Sequence, residues 1–246
     1  MSSSEKLRFV PPHDNGLNGD WAKMWPAFEQ AYAELVRPRP PADERQVRRE
    51  LLFCLLGGHG ITYEMNCSAA AVVEGLDVFS DDHTGDALLE ELIAVLDAPR
   101  FDPPRKDGTR RRYRFPRRKA MLVVQARAWV LHAGALTDRL SAFESEQERR
   151  AWLVSCPGLG PKSASWVLRN TGWARDLAIL DVHVLRAMVD VGVLDRPWLG
   201  SDYDVIERRF LEWCGQLGAA PGVFDLFLWE WQRGALRPTP TVNRPL

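Results

Sequence analysis

A lysine and an aspartate nineteen positions apart are the side chains of this sequence that are best suited to do chemistry together. Lys162 follows the segment Pro157-Gly158-Leu159-Gly160-Pro161, which cannot continue a helix. Its two glycines supply the backbone freedom that a tight hairpin needs, and Pro161 fits the first position of a new helix. The amine of Lys162 therefore falls in a first helical turn, where the helix dipole disfavours its positive charge. We expect part of this lysine to be uncharged and nucleophilic.

Asp181 has the surroundings of a supporting carboxylate. It follows the apolar run Leu177-Ala178-Ile179-Leu180 and precedes a predicted helix over residues 182–191. Its side chain can cap that helix, and the apolar approach predicts that it is mostly buried. A carboxylate held near a nucleophilic amine suits a reaction that develops positive charge on a sugar.

Two helices joined by the glycine hairpin must position Lys162. Helical spacing predicts one helix over residues 146–155 and a second from Lys162 to Arg169, stopped near Gly172, so that the unit spans about 146–170. Backbone N–H groups beside Gly158 and Gly160 are left at the start of the second helix, where they can bind an anion such as a DNA phosphate without reading a base. The hairpin alone leaves two readings open, because some hairpins of this kind only hold DNA.

The sequence PGLGPK, followed by an aspartate in LAILDVH, resembles the helix-hairpin-helix (HhH-GPD) superfamily of DNA base-excision glycosylases. It is most similar to the small branch of the 8-oxoguanine DNA glycosylase/AP lyases. Weaker matches are the segment from Arg112 to Phe115 that leads to Lys119-Ala120, and residues 224–234, FDLFLWEWQRG. The resemblance implies an all-α, two-lobed helical fold with the active site in the cleft between the lobes. Residues 20–246 would form this domain, after a flexible arm over residues 1–19.

The same resemblance implies a bifunctional enzyme that excises 8-oxoguanine from duplex DNA. Lys162 would attack C1′ and form a Schiff base, Asp181 would stabilise charge on the sugar, and β-elimination would cut the strand. Gly158, Gly160 and His183 match family positions that contact the DNA backbone. No organic cofactor or catalytic metal is implied, although the hairpin could hold a monovalent cation. Two alternatives stay open: the same chemistry on another modified base, and a non-catalytic DNA-binding protein.

Four residues are candidates for the base pocket. Trp166 lies four positions after Lys162, so both share one helix face, and its ring could stack on an extruded base. In the last helix, Phe224, Phe227, Leu228 and Trp231 make an apolar face. The resemblance implies base contacts from this helix, and the residues left over from that face are Trp229, Asp225 and Gln232. Packing is the alternative role for both tryptophans.

The segment GGHGITYEMN, residues 57–66, departs from the family. The relatives use a polar residue here, often asparagine, to enter the space that the extruded base leaves. His59, Tyr63 or Asn66 could do this, and an ordinary glycine-rich loop is the alternative. The departure leaves the opposite-base preference, and the damaged base itself, undecided.

Composition favours a globular protein, and the resemblance implies that it acts on DNA in the cytoplasm, associated with the nucleoid if the organism is prokaryotic. Of the 246 residues 46% are apolar, and the formal net charge is −1, but residues 100–119 carry ten Lys and Arg against two Asp. This basic stretch suits phosphate contacts. We expect no membrane span, because no run of ~18 apolar residues occurs, and no secretory signal. Four scattered cysteines predict reduced thiols rather than an iron–sulfur cluster. We expect a monomer whose partner is double-stranded DNA.

Overall fold

The computed structural model describes residues 18–31, 40–58, 60–80, 82–195 and 203–232. Within these ranges all regular structure is helical apart from one isolated antiparallel bridge between Phe101 and Arg111. The all-α prediction is therefore confirmed. In chain order the helices are α1 (Asn18–Ala31), α2 (Glu44–Leu56), α3 (Tyr63–Glu74), α4 (Gly85–Asp97), α5 (Pro116–Ala133), α6 (Leu136–Ser141), α7 (Glu146–Val154), α8 (Pro161–Asn170), α9 (Val182–Asp190), α10 (Tyr203–Leu217) and α11 (Pro221–Gln232).

The chain divides into two compact units. One is residues 39–174, with α2 to α8, and the other combines residues 1–38 with 175–246, with α1 and α9 to α11. The predicted arm over residues 1–19 is wrong at its boundary, since Asn18 and Gly19 already belong to α1; residues 1–17 lie outside the described part. The cleft between two lobes stays a prediction.

Helix α2 is the centre of the 39–174 unit. It begins at Asp43, whose carboxylate caps the helix by accepting the Gln46 N–H at 2.8 Å. It packs against α3, α5, α6 and α8. Because neighbours surround it, apolar side chains are buried on more than one side of the helix. The buried ones are Val47, Leu51, Leu52, Leu55 and Leu56.

Side chains from other elements satisfy the carboxyl end of α2. The last turn of any helix leaves carbonyl oxygens without intrahelical partners. Here the donors are the amide of Asn66 on α3, the hydroxyl of Tyr113 and the amine of Lys119 on α5. Their acceptors are the carbonyl of Phe53 for Asn66, that of Leu56 for Tyr113, and those of Leu55 and Gly57 for Lys119. These bonds fasten α3 and α5 to the end of α2.

Aromatic rings make the core of the second unit. The Phe224 ring of α11 lies 4.6 Å from that of Trp213 on α10 and 4.9 Å from that of Trp25 on α1, both edge-on. Edge-to-face pairs of this kind add to the area that they bury. Phe227 and Leu228 are also fully buried, so the predicted apolar face of the last helix is confirmed for these three residues.

Two helices begin inside segments that the sequence analysis singled out. Helix α3 starts at Tyr63, within residues 57–66, because Thr62 caps it by accepting the Met65 N–H at 3.3 Å. Helix α5 starts at Pro116, within the basic stretch over residues 100–119. Lys119 therefore lies in the first turns of a helix.

No helix in the described ranges is both long enough and apolar enough to cross a membrane.

The capping box that begins α7 should carry a measurable part of the stability. The Ser145 hydroxyl accepts the Glu148 N–H at 3.2 Å, and the Glu148 carboxylate accepts the Ser145 N–H at 2.9 Å. We expect Ser145→Ala to lower the free energy of unfolding by about 1 kcal/mol. Thr84, the N-cap of α4, makes no side-chain capping bond. Thr84→Ala is the matched control and should change stability little. Equal shifts of the two variants in denaturant unfolding would contradict this.

Candidate active site

Gly158 is required by the backbone and by packing. Its φ is +90°, a region that side-chain-bearing residues rarely adopt. A Cβ built there would also lie 3.0 Å from Leu55 Cδ2 of α2 and 3.2 Å from Leu122 Cδ2 of α5. The turn between α7 and α8 therefore fits closely onto α2 and α5, and the predicted helix–hairpin–helix unit is present.

Neither the backbone conformation nor the packing of the described residues requires a glycine at position 160. It is the N-cap of α8, with φ −109°, and makes no side-chain capping bond. A Cβ added there would meet no atom within 4 Å. Open space beside the first N–H groups of α8 allows an external group to approach the backbone closely.

Lys162 lies in the first turn of α8, half-buried, and its Nζ is 5.7 Å from the centre of the Trp166 ring. The predicted shared helix face is thus confirmed. Helix α2 holds the ring in place, because Trp166 Nε1 donates to Glu50 Oε1 at 2.7 Å. Asn170 Nδ2 donates to the same oxygen at 2.7 Å. The ring of Phe53 lies 6.3 Å from that of Trp166. Stacking of Trp166 on a base stays a prediction.

Lys119 is a member of the Lys162 neighbourhood that sequence reasoning missed. Its Nζ donates to the Leu55 carbonyl at 2.6 Å and to that of Gly57. Burial, and then the charges of Arg118 and Lys162, lower the pKa of Lys119 to about 8. No sequence signal separates it from Arg117 and Arg118, which precede it in the same basic run and are exposed.

The pKa of the Cys54 thiol, on α2, depends on the charges of both Lys119 and Lys162. Desolvation raises the pKa of its thiol, and the charge of Glu50 adds to the increase. The charges of Lys162 and Lys119 act in the opposite direction. The positive charges of Lys119 on α5 and Lys162 on α8 thus both act on this thiol.

Asp181 caps α9, as predicted. Its Oδ1 accepts the N–H groups of His183 at 2.8 Å and Val184 at 3.0 Å. It is half-buried, so the prediction that it is mostly buried is wrong. The apolar side chains before it enter the core, whereas the capping carboxylate stays at the helix end. Its Oδ2 makes no hydrogen bond within the described residues and can act on a ligand.

Buried polar side chains fix the backbone that leads to Asp181. Glu207 accepts the Ala178 N–H at 3.2 Å, and Asp225 Oδ2 accepts the Ile179 N–H at 2.8 Å. The hydroxyl of Tyr203 donates to the carbonyl of Ala178 at 2.8 Å. This segment thus has hydrogen-bond partners for its backbone although it belongs to no strand in the described part of the chain.

The burial of Asp225 differs from the prediction for the last helix. It is only 4% exposed, so its assignment to the side away from the core is wrong. A helical wheel cannot show that a buried backbone N–H needs an acceptor there. Gln232 Nε2 donates to Asp190 Oδ2 at 2.7 Å, and the Trp229 and His183 rings meet edge-on at 6.4 Å. The roles of these residues toward base and phosphate stay predictions.

Three residues in the segment 57–66 are candidates for filling the space that an extruded base leaves, and the structure distinguishes two of them by their exposure. His59 lies outside the described residues. Asn66 is 5% exposed and its amide is bonded to Phe53, so it is committed to the interior. Tyr63 is 58% exposed, and its ring lies 6.0 Å from that of Phe53. Of the two described candidates, Tyr63 is the one at the surface.

The described residues contain no cluster of side chains suited to bind a metal ion. No group of three or more His, Cys, Asp or Glu side chains that could hold an ion occurs among the described residues. All four cysteines are free thiols. The monovalent cation at the hairpin stays a prediction.

Comparison with known proteins agrees with this geometry. A crystal structure of the 8-oxoguanine DNA glycosylase of Thermotoga maritima superposes with a TM-score of 0.61 and 28% identity, over 87% of this chain and 92% of that one. The class that fold and hairpin define is thus the helix-hairpin-helix DNA glycosylases. The sequence model of the Ogg-HhH family, described as 8-oxoguanine DNA glycosylase, matches residues 105–219.

Two relatives carry the same name, 8-oxoguanine DNA glycosylase/AP lyase. The protein of Thermotoga petrophila is 30% identical over 85% of this chain and 90% of its own length. That of Metallosphaera sedula is 35% identical over 82% of this chain and 90% of its own length. The chain belongs to the 8-oxoguanine DNA glycosylase/AP lyase family.

The two hairpin glycines should respond differently to the same substitution. Gly158→Ser forces a side chain into a positive φ and against Leu55, and should lower the free energy of unfolding by about 1–3 kcal/mol. Gly160→Ser should stay within about 0.5 kcal/mol of the wild type, because serine is a good N-cap and the space is open. Thermal unfolding of both variants measures this; a larger loss in Gly160→Ser would contradict it.

Proposed function

We propose that this protein is a bifunctional DNA glycosylase and AP lyase that excises 8-oxoguanine from duplex DNA. The observation that carries the proposal is the Lys162 amine in the first turn of α8, with the Trp166 ring 5.7 Å away and the open side of Gly160 two residues before it. A nucleophile, a flat apolar surface and a backbone anion site are thus adjacent. The relatives' shared name supports the choice of base.

The hairpin binds the DNA backbone in this proposal. A phosphate approaches Gly160, where no side chain obstructs the N–H groups of α8, and their partial positive charge favours the anion. His183, in the first turn of α9, contacts another phosphate. These contacts position the duplex without reading its sequence.

Extrusion of the damaged nucleotide costs a few kcal/mol or so, and least where the pair is weakened. Tyr63 fills the space that it leaves. The extruded base stacks on Trp166 or Trp229, and Asp225 and Gln232 bond its edge. Asp225 must then exchange or share its bond with the Ile179 N–H, and Gln232 its bond with the Asp190 carboxylate.

The chemistry follows from an amine and a carboxylate. The uncharged Lys162 nitrogen attacks C1′, the C1′–N bond to the base breaks, and the base leaves with that electron pair and takes up a proton. The free Oδ2 of Asp181 stabilises the positive charge that develops on the sugar. Ring opening gives an imine between Lys162 and C1′. The imine acidifies the C2′ hydrogen; its loss as a proton expels the 3′ phosphate and cuts the strand.

Nothing in these steps requires an organic cofactor or a catalytic metal, and a monovalent cation bound by the hairpin backbone would support phosphate binding only. The enzyme acts as a monomer on double-stranded DNA in the cytoplasm.

Borohydride trapping tests the proposal, because borohydride reduces an imine to a stable covalent link. We expect a protein–DNA adduct on duplexes that carry 8-oxoguanine or an abasic site, none on undamaged duplex, and none with Lys162→Gln. Fluorescence anisotropy should show that this variant still binds DNA. An adduct on the abasic duplex alone would contradict the choice of base and point to another modified base. No adduct on either duplex would favour a DNA-binding protein without catalysis.

Asp181→Asn should separate the two roles of this residue. Asparagine caps a helix about as well as aspartate, so thermal stability should hardly change. Loss of the negative charge should slow base excision by about 10²–10³-fold. Single-turnover excision of 8-oxoguanine measures the rate. Asp181→Ala is the control that loses both the cap and the charge, and it should also unfold at a lower temperature. An excision rate in Asp181→Asn equal to the wild-type rate would contradict the electrostatic role.

A further inference from the structure

Glu50, on α2, is a half-buried carboxylate that the steps above do not use. Its Oε1 accepts the indole N–H of Trp166 at 2.7 Å and the side-chain amide of Asn170 at 2.7 Å. Both donors belong to α8 and lie one turn apart, so a single oxygen of α2 holds one face of α8. Hydrogen bonds to a carboxylate are stronger than those between neutral groups. This oxygen therefore fixes the indole nitrogen in place.

Two contacts from α2 hold the Trp166 ring. The bond to Glu50 fixes its nitrogen edge, and the ring of Phe53 lies 6.3 Å away with 31° between the two planes. A tryptophan side chain has few torsions, and little freedom is left when one edge is bonded and a neighbouring ring packs beside it. The indole is therefore a fixed surface on α8 and not a freely rotating side chain.

The amine of Lys162 lies against this fixed surface. Its Nζ is 5.7 Å from the centre of the Trp166 ring, within the ~6 Å over which an amine and a ring face attract each other. The stem of a lysine is otherwise flexible, so the ring restricts where its nitrogen lies. The contacts thus run without a break from the Glu50 carboxylate, through the indole, to the proposed nucleophile.

We infer that Glu50 is a positioning residue for the Schiff-base chemistry: by bonding the indole N–H of Trp166, its carboxylate fixes the ring that confines the Lys162 amine, and so holds the amine where it can reach C1′. Such a role is geometric, because a nucleophile reacts fast only when it is held close to its target and aligned with it. The role needs an acceptor oxygen at position 50. It needs neither the negative charge nor a contact with DNA.

Because this role rests on the proposed function, the test uses an abasic-site duplex, which offers no base for Trp166 to stack on. Borohydride trapping rates are measured with enzyme in saturating excess, so that they report the bound complex alone. Fluorescence anisotropy measures the affinity for the duplex. Circular dichroism and thermal unfolding establish that each variant is folded.

Four variants separate the hydrogen bond from the charge. Glu50→Leu removes the acceptor, whereas Glu50→Gln keeps an oxygen for both donors and carries no charge. Trp166→Phe keeps a ring but has no N–H, and it tests the same bond from the other side should Glu50→Leu fail to fold. Asn170→Ala is the matched control, because it removes the second donor of Glu50 and leaves the bond to the indole in place.

We expect Glu50→Leu to form the trapped adduct about tenfold more slowly than the wild type, with the affinity for the duplex unchanged. Trp166→Phe should be slow as well. Glu50→Gln and Asn170→Ala should react at close to the wild-type rate. The double variant Glu50→Leu/Trp166→Phe should be no slower than Trp166→Phe alone, because the bond that Glu50 supplies is already absent there.

Other results would overturn the inference while the proposed function stands. A wild-type rate in Glu50→Leu or in Trp166→Phe would show that the bond does not position the amine. A loss in Glu50→Gln as large as in Glu50→Leu would assign the effect to charge. Multiplied losses in the double variant, or an equally large loss in Asn170→Ala, would show that the effect does not pass through the indole. Absence of any wild-type adduct would instead overturn the proposed function itself.

Discussion

The need of the carbonyl oxygens at the carboxyl end of α2 for hydrogen-bond donors from outside the helix is the constraint on which the Lys162 neighbourhood depends. Leu55 and Leu56 at this end are buried, so side chains rather than bulk water supply the donors. Asn66, Tyr113 and Lys119 supply the donors and thereby fix α3 and α5 against α2. The same turn presents Leu55 to Gly158, which sets the hairpin and with it the start of α8. A rule of backbone hydrogen bonding thus holds Lys119 at the end of α2 and contributes to the position of the hairpin that precedes Lys162.

In the second unit, one oxygen of a carboxylate caps a helix and the proposed chemistry uses the other. Asp181 Oδ1 accepts two N–H groups at the start of α9, which orients the side chain, and Oδ2 makes no hydrogen bond within the described residues. The backbone before it is fixed by buried acceptors on α10 and α11. Preorganisation of this kind matters because a charge that is already oriented does not have to reorganise when the sugar becomes positive.

Local signals in the sequence predict the start of α8 and the cap of α9 well. They predict the burial of polar side chains poorly. Pro161 after two glycines predicts α8, and Asp181 before an apolar helix predicts the cap of α9; both depend on residues adjacent in the chain. Asp225 and Lys119 could not be placed in this way. Each is fixed by a backbone group distant in sequence, Ile179 for one and the end of α2 for the other. In Arg117-Arg118-Lys119 the residue types are alike, and only the tertiary fold decides which side chain is half-buried and which two are exposed. Helix α6 spans six residues, too few for a periodic pattern to show.

The central claim is that one particular amine, that of Lys162, forms the bond to C1′. The most direct measurement is the site of the covalent link: borohydride-trapped complex is digested with nuclease and protease, and the modified peptide is sequenced by mass spectrometry. The sugar remnant is predicted on the Lys162 side chain, with the Lys119 peptide unmodified. A remnant on Lys119, or on any residue other than Lys162, would contradict the account.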